Sequence, residues 1–183
     1  MKLKNMIIVY LAFFLFITLS SNVYAQDSEL AIKDWSIRND SERIFYKTHG
    51  TVIYGHEFGF FKPKGDCDSD ILWITYSSAN DEVLNFIGKE IVLMIDVDGT
   101  QFKIGINMLS ADKLTPTTKI MAFTNYLVGE EFIKLLNKGR KVRLQIVEPK
   151  ALMNQLDIKE DEYSLIGYKA SRLKAKEFCN NVK

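Results

Sequence analysis

The feature that most constrains the fold is the alternation of apolar and polar positions along two neighbouring segments, Glu90–Val97 and Thr100–Leu109. Every second residue in each segment is apolar, which is the pattern of a β-strand that buries one face. Asp98 and Gly99 lie between the two segments, and this pair favours a two-residue type I′ turn, in which both central residues take positive φ. The sequence therefore predicts a β-hairpin of these two segments.

Most of the remaining chain also has apolar residues at every second position, which indicates further strands. Ile71–Ser77 is apolar on both faces and is predicted to be a central strand. Apolar stripes and terminal charges predict two short helices, Glu130–Lys138 and Gly167–Asn180. Asp81–Ile87 is compatible with either a short helical turn or irregular chain. The other predicted strands are Asp34–Arg38, Ile44–Lys47, Thr51–Lys62, Lys119–Leu127, Arg140–Val147 and Glu162–Ile166. The predicted fold is mainly β, an antiparallel β-sandwich or curled sheet with a C-terminal helix.

The first 25 residues have the three-part layout of a secretory signal peptide. Lys2 and Lys4 precede an uncharged run, Met6–Leu19, and small residues stand at Val23 and Ala25 before Gln26. The run is shorter than the roughly 20 residues that a membrane-spanning helix needs. We therefore predict that residues 1–25 are a signal peptide and that residues 26–183 form a single exported domain, periplasmic or secreted. An uncleaved N-terminal anchor is the alternative.

The two cysteines, Cys67 and Cys179, both lie beyond the predicted leader. In an exported chain with two thiols a disulfide is the expected state. The closed segment exceeds 100 residues, for which the chain-entropy model gives a stabilisation of about 4–5 kcal/mol. No histidine lies near either cysteine in the sequence, which argues against a metal-binding or catalytic thiol.

The charge balance and the missing motifs exclude several classes of function. The chain has 24 Lys and Arg against 23 Asp and Glu, a net charge of +1, and so lacks the basic excess of a nucleic-acid-binding surface. It contains no Walker loop, no G-x-G-x-x-G, no H-E-x-x-H and no G-x-S-x-G. We therefore predict no cofactor, no bound metal, no catalytic residue and no nucleic-acid partner.

An acidic loop follows the predicted strand Thr51–Lys62, which is rich in aromatic residues. Asp66, Asp68 and Asp70 have the spacing that opens an EF-hand loop, but Ile71 and Ser77 occupy the positions where that loop needs Gly and Glu. A solvated loop beside the disulfide is the resulting prediction.

The aromatic residues Tyr54, Phe58, Phe60 and Phe61 are expected to form a core or a partner-facing strand, and a ligand groove is the alternative. The residues assigned to a candidate partner surface are Asp66, Asp68, Asp70, Phe58 and Phe60.

Four further polar residues are candidates for chemistry. His49 and His56 are too few for a metal site unless a carboxylate such as Glu57 joins them. His56 or Glu57 acts as a general base only where a nucleophile or a water lies within about 3 Å. Asp96 is predicted to pair with Lys103 across the hairpin rather than to serve catalysis.

The order of motifs resembles a known group of proteins. It runs from a signal peptide through Trp35, Cys67, the Val97-Asp98-Gly99 turn, the Phe132–Leu135 helix and V-R-L-Q-I to Ser164–Tyr168, Ala170 and Cys179. This order resembles small periplasmic β-sandwich proteins, notably the type VI secretion-associated accessory family, which ends in a similar way and pairs two cysteines. The invasion-associated protein B family is similar in layout but carries extra cysteines. The resemblance implies a non-enzymatic exported accessory protein.

Three functions follow in order of preference. The first is a binding or assembly module of the bacterial cell envelope, associated with secretion, that contacts a protein partner through a sheet face or edge. The second is an inhibitor or immunity protein against a periplasmic hydrolase, with the contacts on Gly65–Asp70 or Ala111–Thr118. The third is a small exported hydrolase that uses His56 and Glu57.

Overall fold

The structure is a computed structural model that describes residues 29–51, 55–125 and 128–181. Its strands are β1 (Glu29–Ile32), β2 (Trp35–Asn39), β3 (Arg43–His49), β4 (Glu57–Pro63), β5 (Ile71–Ser78), β6 (Glu90–Val97), β7 (Thr100–Lys113), β8 (Lys119–Asn125), β9 (Lys141–Glu148) and β10 (Glu160–Ser164). The helices are a 3₁₀ helix (Asp81–Phe86), α1 (Glu130–Lys138), α2 (Lys150–Met153) and α3 (Tyr168–Asn181). The predicted leader lies outside the described residues. Within the described ranges, no helix is both long enough and apolar enough to cross a membrane.

All ten strands belong to one antiparallel sheet with the order β1-β2-β3-β4-β5-β8-β7-β6-β9-β10. The mainly β prediction is confirmed, and the curled sheet describes the arrangement. The β6–β7 hairpin forms as predicted, with Val97 opposite Thr100. Asp98 and Gly99 both have positive φ, 48° and 94°, as a type I′ turn requires.

The sheet curls so that its last strand, β10, approaches the hairpin formed by β2 and β3. Gly50 and Tyr163 form an isolated antiparallel bridge, and the Trp35 indole donates to the Ser164 carbonyl at 2.8 Å. The sheet is not closed there, because this contact is a single bridge and not a ladder. Curling turns the inner faces of the strands toward one shared core.

Helix α3 packs against the inner faces of β2, β3 and β4. Its first residue, Tyr168, is buried, and its ring centroid lies 5.1 Å from that of Trp35 and 6.2 Å from that of Tyr46. Such offset and edge-to-face aromatic pairs add specific stabilisation to the burial of apolar area. The C-terminal helix is therefore part of the core and not an appendage.

Several boundaries differ from the sequence-based expectations. The strand predicted from Thr51 begins at Glu57, and residues 52–54 lie outside the described part of the chain. Strand β7 continues through Ala111, which pairs with Met121, so the predicted Ala111–Thr118 loop shrinks to the exposed bend after Lys113. The ambiguous Asp81 segment is a 3₁₀ helix, and the Asn80 side chain caps its first turn by accepting from the Glu82 backbone N–H.

The predicted pairing of Asp96 with Lys103 is wrong. In the hairpin register Asp96 lies opposite Gln101, whereas Lys103 lies opposite Met94. Asp96 therefore accepts hydrogen bonds from the Gly99 backbone at 2.7 Å and from the Gln101 amide at 2.8 Å. Asp96 therefore stabilises the turn.

Candidate functional site

Cys67 and Cys179 are placed as a disulfide pair with their Cα atoms 5.6 Å apart. Cys67 lies in the loop between β4 and β5, and Cys179 lies in the last turn of α3. The predicted pairing is therefore compatible with the fold. It anchors the end of α3 to the acidic loop.

A cluster of charged and polar side chains, buried except for Arg172, lies close to this anchor, and we call it the charge cluster: Lys62, Asp70, Arg172 and Tyr46. Asp70 holds Lys62 Nζ at 2.6 Å through Oδ1 and Arg172 Nε at 2.7 Å through Oδ2. The Tyr46 hydroxyl also donates to Asp70 Oδ1 at 2.5 Å. The Lys62 and Asp70 side chains are only 1% and 4% exposed.

Strand alternation explains why a lysine is buried here. Phe61 points to the outer face of β4, so the next residue, Lys62, must point inward under α3. Burial lowers the pKa of Lys62, and the hydrogen bond to Asp70 offsets part of that shift. Burial also raises the pKa of Tyr46 well above its usual value, so the phenol remains protonated and able to donate.

The charge cluster has an excess of positive charge, since two cations share one carboxylate. Arg172 is the member that reaches the surface, with its side chain 30% exposed. Its Nε is engaged by Asp70, and its four Nη–H donors make no hydrogen bond with any residue in the described ranges. A guanidinium that is fixed at one edge and free at the other is suited to binding a planar anion.

Arg172 faces an open groove of about 510 Å³ between the acidic loop, α1 and α3. This volume is within the usual range for small-ligand sites. The groove is lined by Asp68, Ser69, Asp70, Val128, Glu130, Ile133, Lys134, Asn137 and Arg172. Charged side chains at its rim are already paired, Lys134 with Glu131 at 2.8 Å and Lys176 with Asp68 at 2.5 Å. Lys134 is also shared with Glu130, at 3.9 Å, so the groove rim carries one carboxylate in excess and the charge cluster carries one cation in excess.

The three predicted aspartates have different environments. Asp66 is exposed and accepts from the Ser69 backbone and hydroxyl at 3.3 and 2.5 Å, and these hydrogen bonds lower its pKa. Asp68 is exposed at the groove rim, where its pKa is lowered by the bond to Lys176. Asp70 is buried in the charge cluster. The prediction of a solvated surface is therefore wrong for Asp70.

Phe58 and Phe60 do not form a partner surface. Both side chains are 0% exposed and belong to the main core. They occupy the inward positions of β4 beneath α3, and Phe60 stacks on Tyr46 with centroids 5.4 Å apart. Of the aromatic residues in this strand, Phe61 points outward, where it packs with Phe45 in a second, smaller cluster.

The predicted His56 and Glu57 pair does not converge. His56 is fully buried, its Nδ1 lies 3.0 Å from Asp161 Oδ2, and its ring packs on Tyr76 at 4.4 Å. Burial lowers the pKa of His56, and Asp161 offsets part of this shift. Glu57 points to the opposite face, where it holds Lys47 at 2.5 Å, because adjacent strand residues face opposite ways.

His49 is largely exposed, with Nδ1 3.8 Å from Glu57. Across the described ranges, no group of three or more His, Cys, Asp and Glu side chains has the arrangement needed to hold a metal ion.

Sequence reasoning missed Lys62, Arg172 and the contribution of α1. A signal was available for Lys62, since a lysine at an inward position of an aromatic strand implies a buried counter-ion. Arg172 carried no comparable signal, because it lies among three lysines on a helix face that the sequence predicts to be solvated.

A comparison with protein-family models, curated proteins and solved structures found no significant match. The resemblance to the type VI secretion-associated accessory family therefore rests on the order of motifs alone.

Proposed function

We propose that this protein is a non-enzymatic, exported binding protein of the bacterial cell envelope, which engages a protein partner through the groove at Arg172. The observation that carries the proposal is the preformed recognition group. A buried carboxylate holds the guanidinium in place, so little ordering is needed when a partner arrives. Arginine is one of the residues that most often supply the binding energy of a protein interface.

Two features support export. The leader layout of the first 25 residues is that of a secretory signal peptide. The cysteine pair closes a sequence separation of 112 residues and joins two elements that border the groove. Such structural disulfides persist in oxidising compartments, and here the disulfide would also help to shape the binding site.

The environment of His56 favours binding over hydrolysis. A general base needs contact with a substrate proton or a positioned water, whereas His56 is sealed in the core with Asp161. The groove contains charged groups suited to recognition, and neither histidine lines it. The resemblance to secretion-associated accessory proteins suggests a component of envelope machinery as the partner.

Site-specific cross-linking tests the proposal. A photo-crosslinking amino acid replaces Lys134 at the groove rim, and a matched variant carries it in place of the exposed Lys103 on β7. We expect one envelope protein to be captured at position 134 and not at position 103, and to bind the purified domain directly. Capture of a hydrolase whose activity is then blocked would assign an inhibitor instead.

Catalytic activity would overturn the proposal. The purified domain is assayed against envelope polymers, with His56→Ala and Glu57→Gln as comparison variants. Turnover that both substitutions abolish while the fold survives would establish a hydrolase.

A further inference from the structure

We infer that the groove recognises a carboxylate group on a peptide segment, with the Nη edge of Arg172 as the group that receives it. This inference rests on the proposed binding function and specifies the chemistry of the partner.

The charge cluster supplies the first argument. Lys62 and Arg172 share the single carboxylate of Asp70, which leaves one positive charge in excess within the charge cluster, with Arg172 partly exposed to the groove. Charges removed from water are unfavourable unless they are paired and hydrogen-bonded. A ligand anion at Arg172 would complete the pairing, so the protein is electrostatically prepared for one.

Hydrogen-bond geometry supplies the second argument. Asp70 engages Nε of Arg172 at 2.7 Å, which restrains the orientation of the guanidinium. The two Nη groups remain, and none of their donors meets a partner among the described residues. Two parallel N–H donors match the two oxygens of a carboxylate.

The groove wall and rim narrow the ligand class. Val128 and Ile133 add apolar surface to the lining of the groove, so the carboxylate should carry an apolar neighbour. The rim includes the strongly exposed acids Glu130 and Asp68. Their negative charge disfavours every anion, and it disfavours a multiply charged anion such as phosphate more than a singly charged carboxylate. A peptide carboxylate next to an apolar side chain satisfies both conditions.

The test uses the oxidised domain (residues 26–183) and three matched peptides. N-acetyl-Ala-Leu carries a free C-terminal carboxylate, its C-terminal amide lacks that charge, and N-acetyl-Asp-Leu-amide moves the carboxylate to a side chain. Binding is followed by ¹⁵N NMR at the Arg172 Nε–Hε resonance and at the amides of Ser69 and Lys134. We expect the free acid to bind saturably and its amide to bind about 10- to 100-fold more weakly, as for loss of a charge-assisted hydrogen bond.

The third peptide distinguishes the two sources of a carboxylate. Stronger binding by N-acetyl-Ala-Leu assigns the groove to the C-terminal carboxylates of polypeptides, and stronger binding by N-acetyl-Asp-Leu-amide assigns it to acidic side chains. Tighter binding of inorganic phosphate than of any peptide would overturn the inference.

Variants test whether Arg172 is responsible. In Arg172→Gln, Asp70 keeps Lys62 as its counter-ion, so the fold should survive, and binding should fall to the level of the amide. Arg172→Lys keeps the charge but loses the paired donors, and should weaken binding about tenfold. Arg143→Gln on β9, outside the groove, is the matched control and should leave binding unchanged. If Arg172→Gln unfolds, Arg172→Lys decides alone: binding by that variant equal to the unchanged protein would overturn the inference.

Failure of this inference is distinguishable from failure of the proposed function. A captured partner that binds the Arg172→Gln domain as tightly as the unchanged domain would overturn the carboxylate site and leave the binding function intact. Peptide binding at Arg172 combined with hydrolytic turnover would support the carboxylate site and overturn the non-enzymatic binding function.

Discussion

Replacing Asp70 with Asn should destabilise the fold far more than replacing its buried partner Lys62 with Met. Asp70→Asn leaves two cations without their shared counter-ion, one of them only 1% exposed. Breaking a buried pair from one side costs about 3–5 kcal/mol. Lys62→Met instead removes the excess cation and leaves Asp70 neutralised by Arg172, so the change should stay within about 1 kcal/mol, since an apolar side chain of similar length fills the same space.

Urea unfolding of the oxidised domain measures both variants, and the shift in midpoint at an unchanged slope reports the difference in stability. For a domain of this size, a loss of 3–5 kcal/mol lowers Tm by roughly 10 °C. Asp68→Asn is the matched control, because Asp68 is 85% exposed, and exposed ion pairs contribute about 0–1 kcal/mol. The reasoning about the charge cluster is refuted if Asp70→Asn behaves like this control, or if Lys62→Met proves equally destabilising.

Three further predictions concern the disulfide, the buried histidine and the bridging glycine. Native domain should contain no titratable thiol and should shift in mobility on reduction, and the Cys67→Ser, Cys179→Ser double variant should lose about 2–5 kcal/mol; two reactive thiols in the exported protein would contradict the pairing. Since the pKa of His56 is lowered in the folded state, the unfolded chain binds more protons near its usual pKa, so stability should be full above about pH 6.5 and fall as the pH drops. His56→Gln should flatten this dependence in urea titrations between pH 8 and 5, and a stability that rises on acidification would refute the assignment. Gly50→Ala places a methyl group against the buried carboxylate next to His56 and should cost about 1–3 kcal/mol, whereas Gly129→Ala, which meets nothing within 4 Å, should shift the stability by less than about 0.5 kcal/mol.

The sequence predicted secondary structure correctly where the interactions that form an element lie between neighbouring residues. The β6–β7 hairpin follows from alternation along two strands and from the preference of Asp98 and Gly99 for positive φ. Helix α1 begins at Glu130 and ends at Lys138, as its terminal charges indicate. The fold class follows in turn, because successive strands with these turns pair antiparallel.

The sequence predicted poorly which side chains are buried in a strand that is apolar on both faces. Phe58, Phe60 and Phe61 are chemically alike, and alternation assigns them to opposite faces without stating which face is covered. Helix α3 decides this, because it packs on the side of Phe58 and Phe60 and leaves Phe61 on the outside. The assignment of Phe58 and Phe60 to the candidate partner surface was wrong for the same reason.

The amino-acid sequence by itself determined a mainly β protein with the layout of a secretory leader, two cysteines able to pair and no recognised catalytic motif, since each of these depends on neighbouring residues or on composition. Only the tertiary structure decided that Asp70 is a buried anion and that Arg172 faces a groove. The contact between these two residues spans 102 positions, and that between His56 and Asp161 spans 105. Pairings over such distances depend on how the sheet curls and where α3 docks, and both are set by the burial of apolar surface across the whole domain.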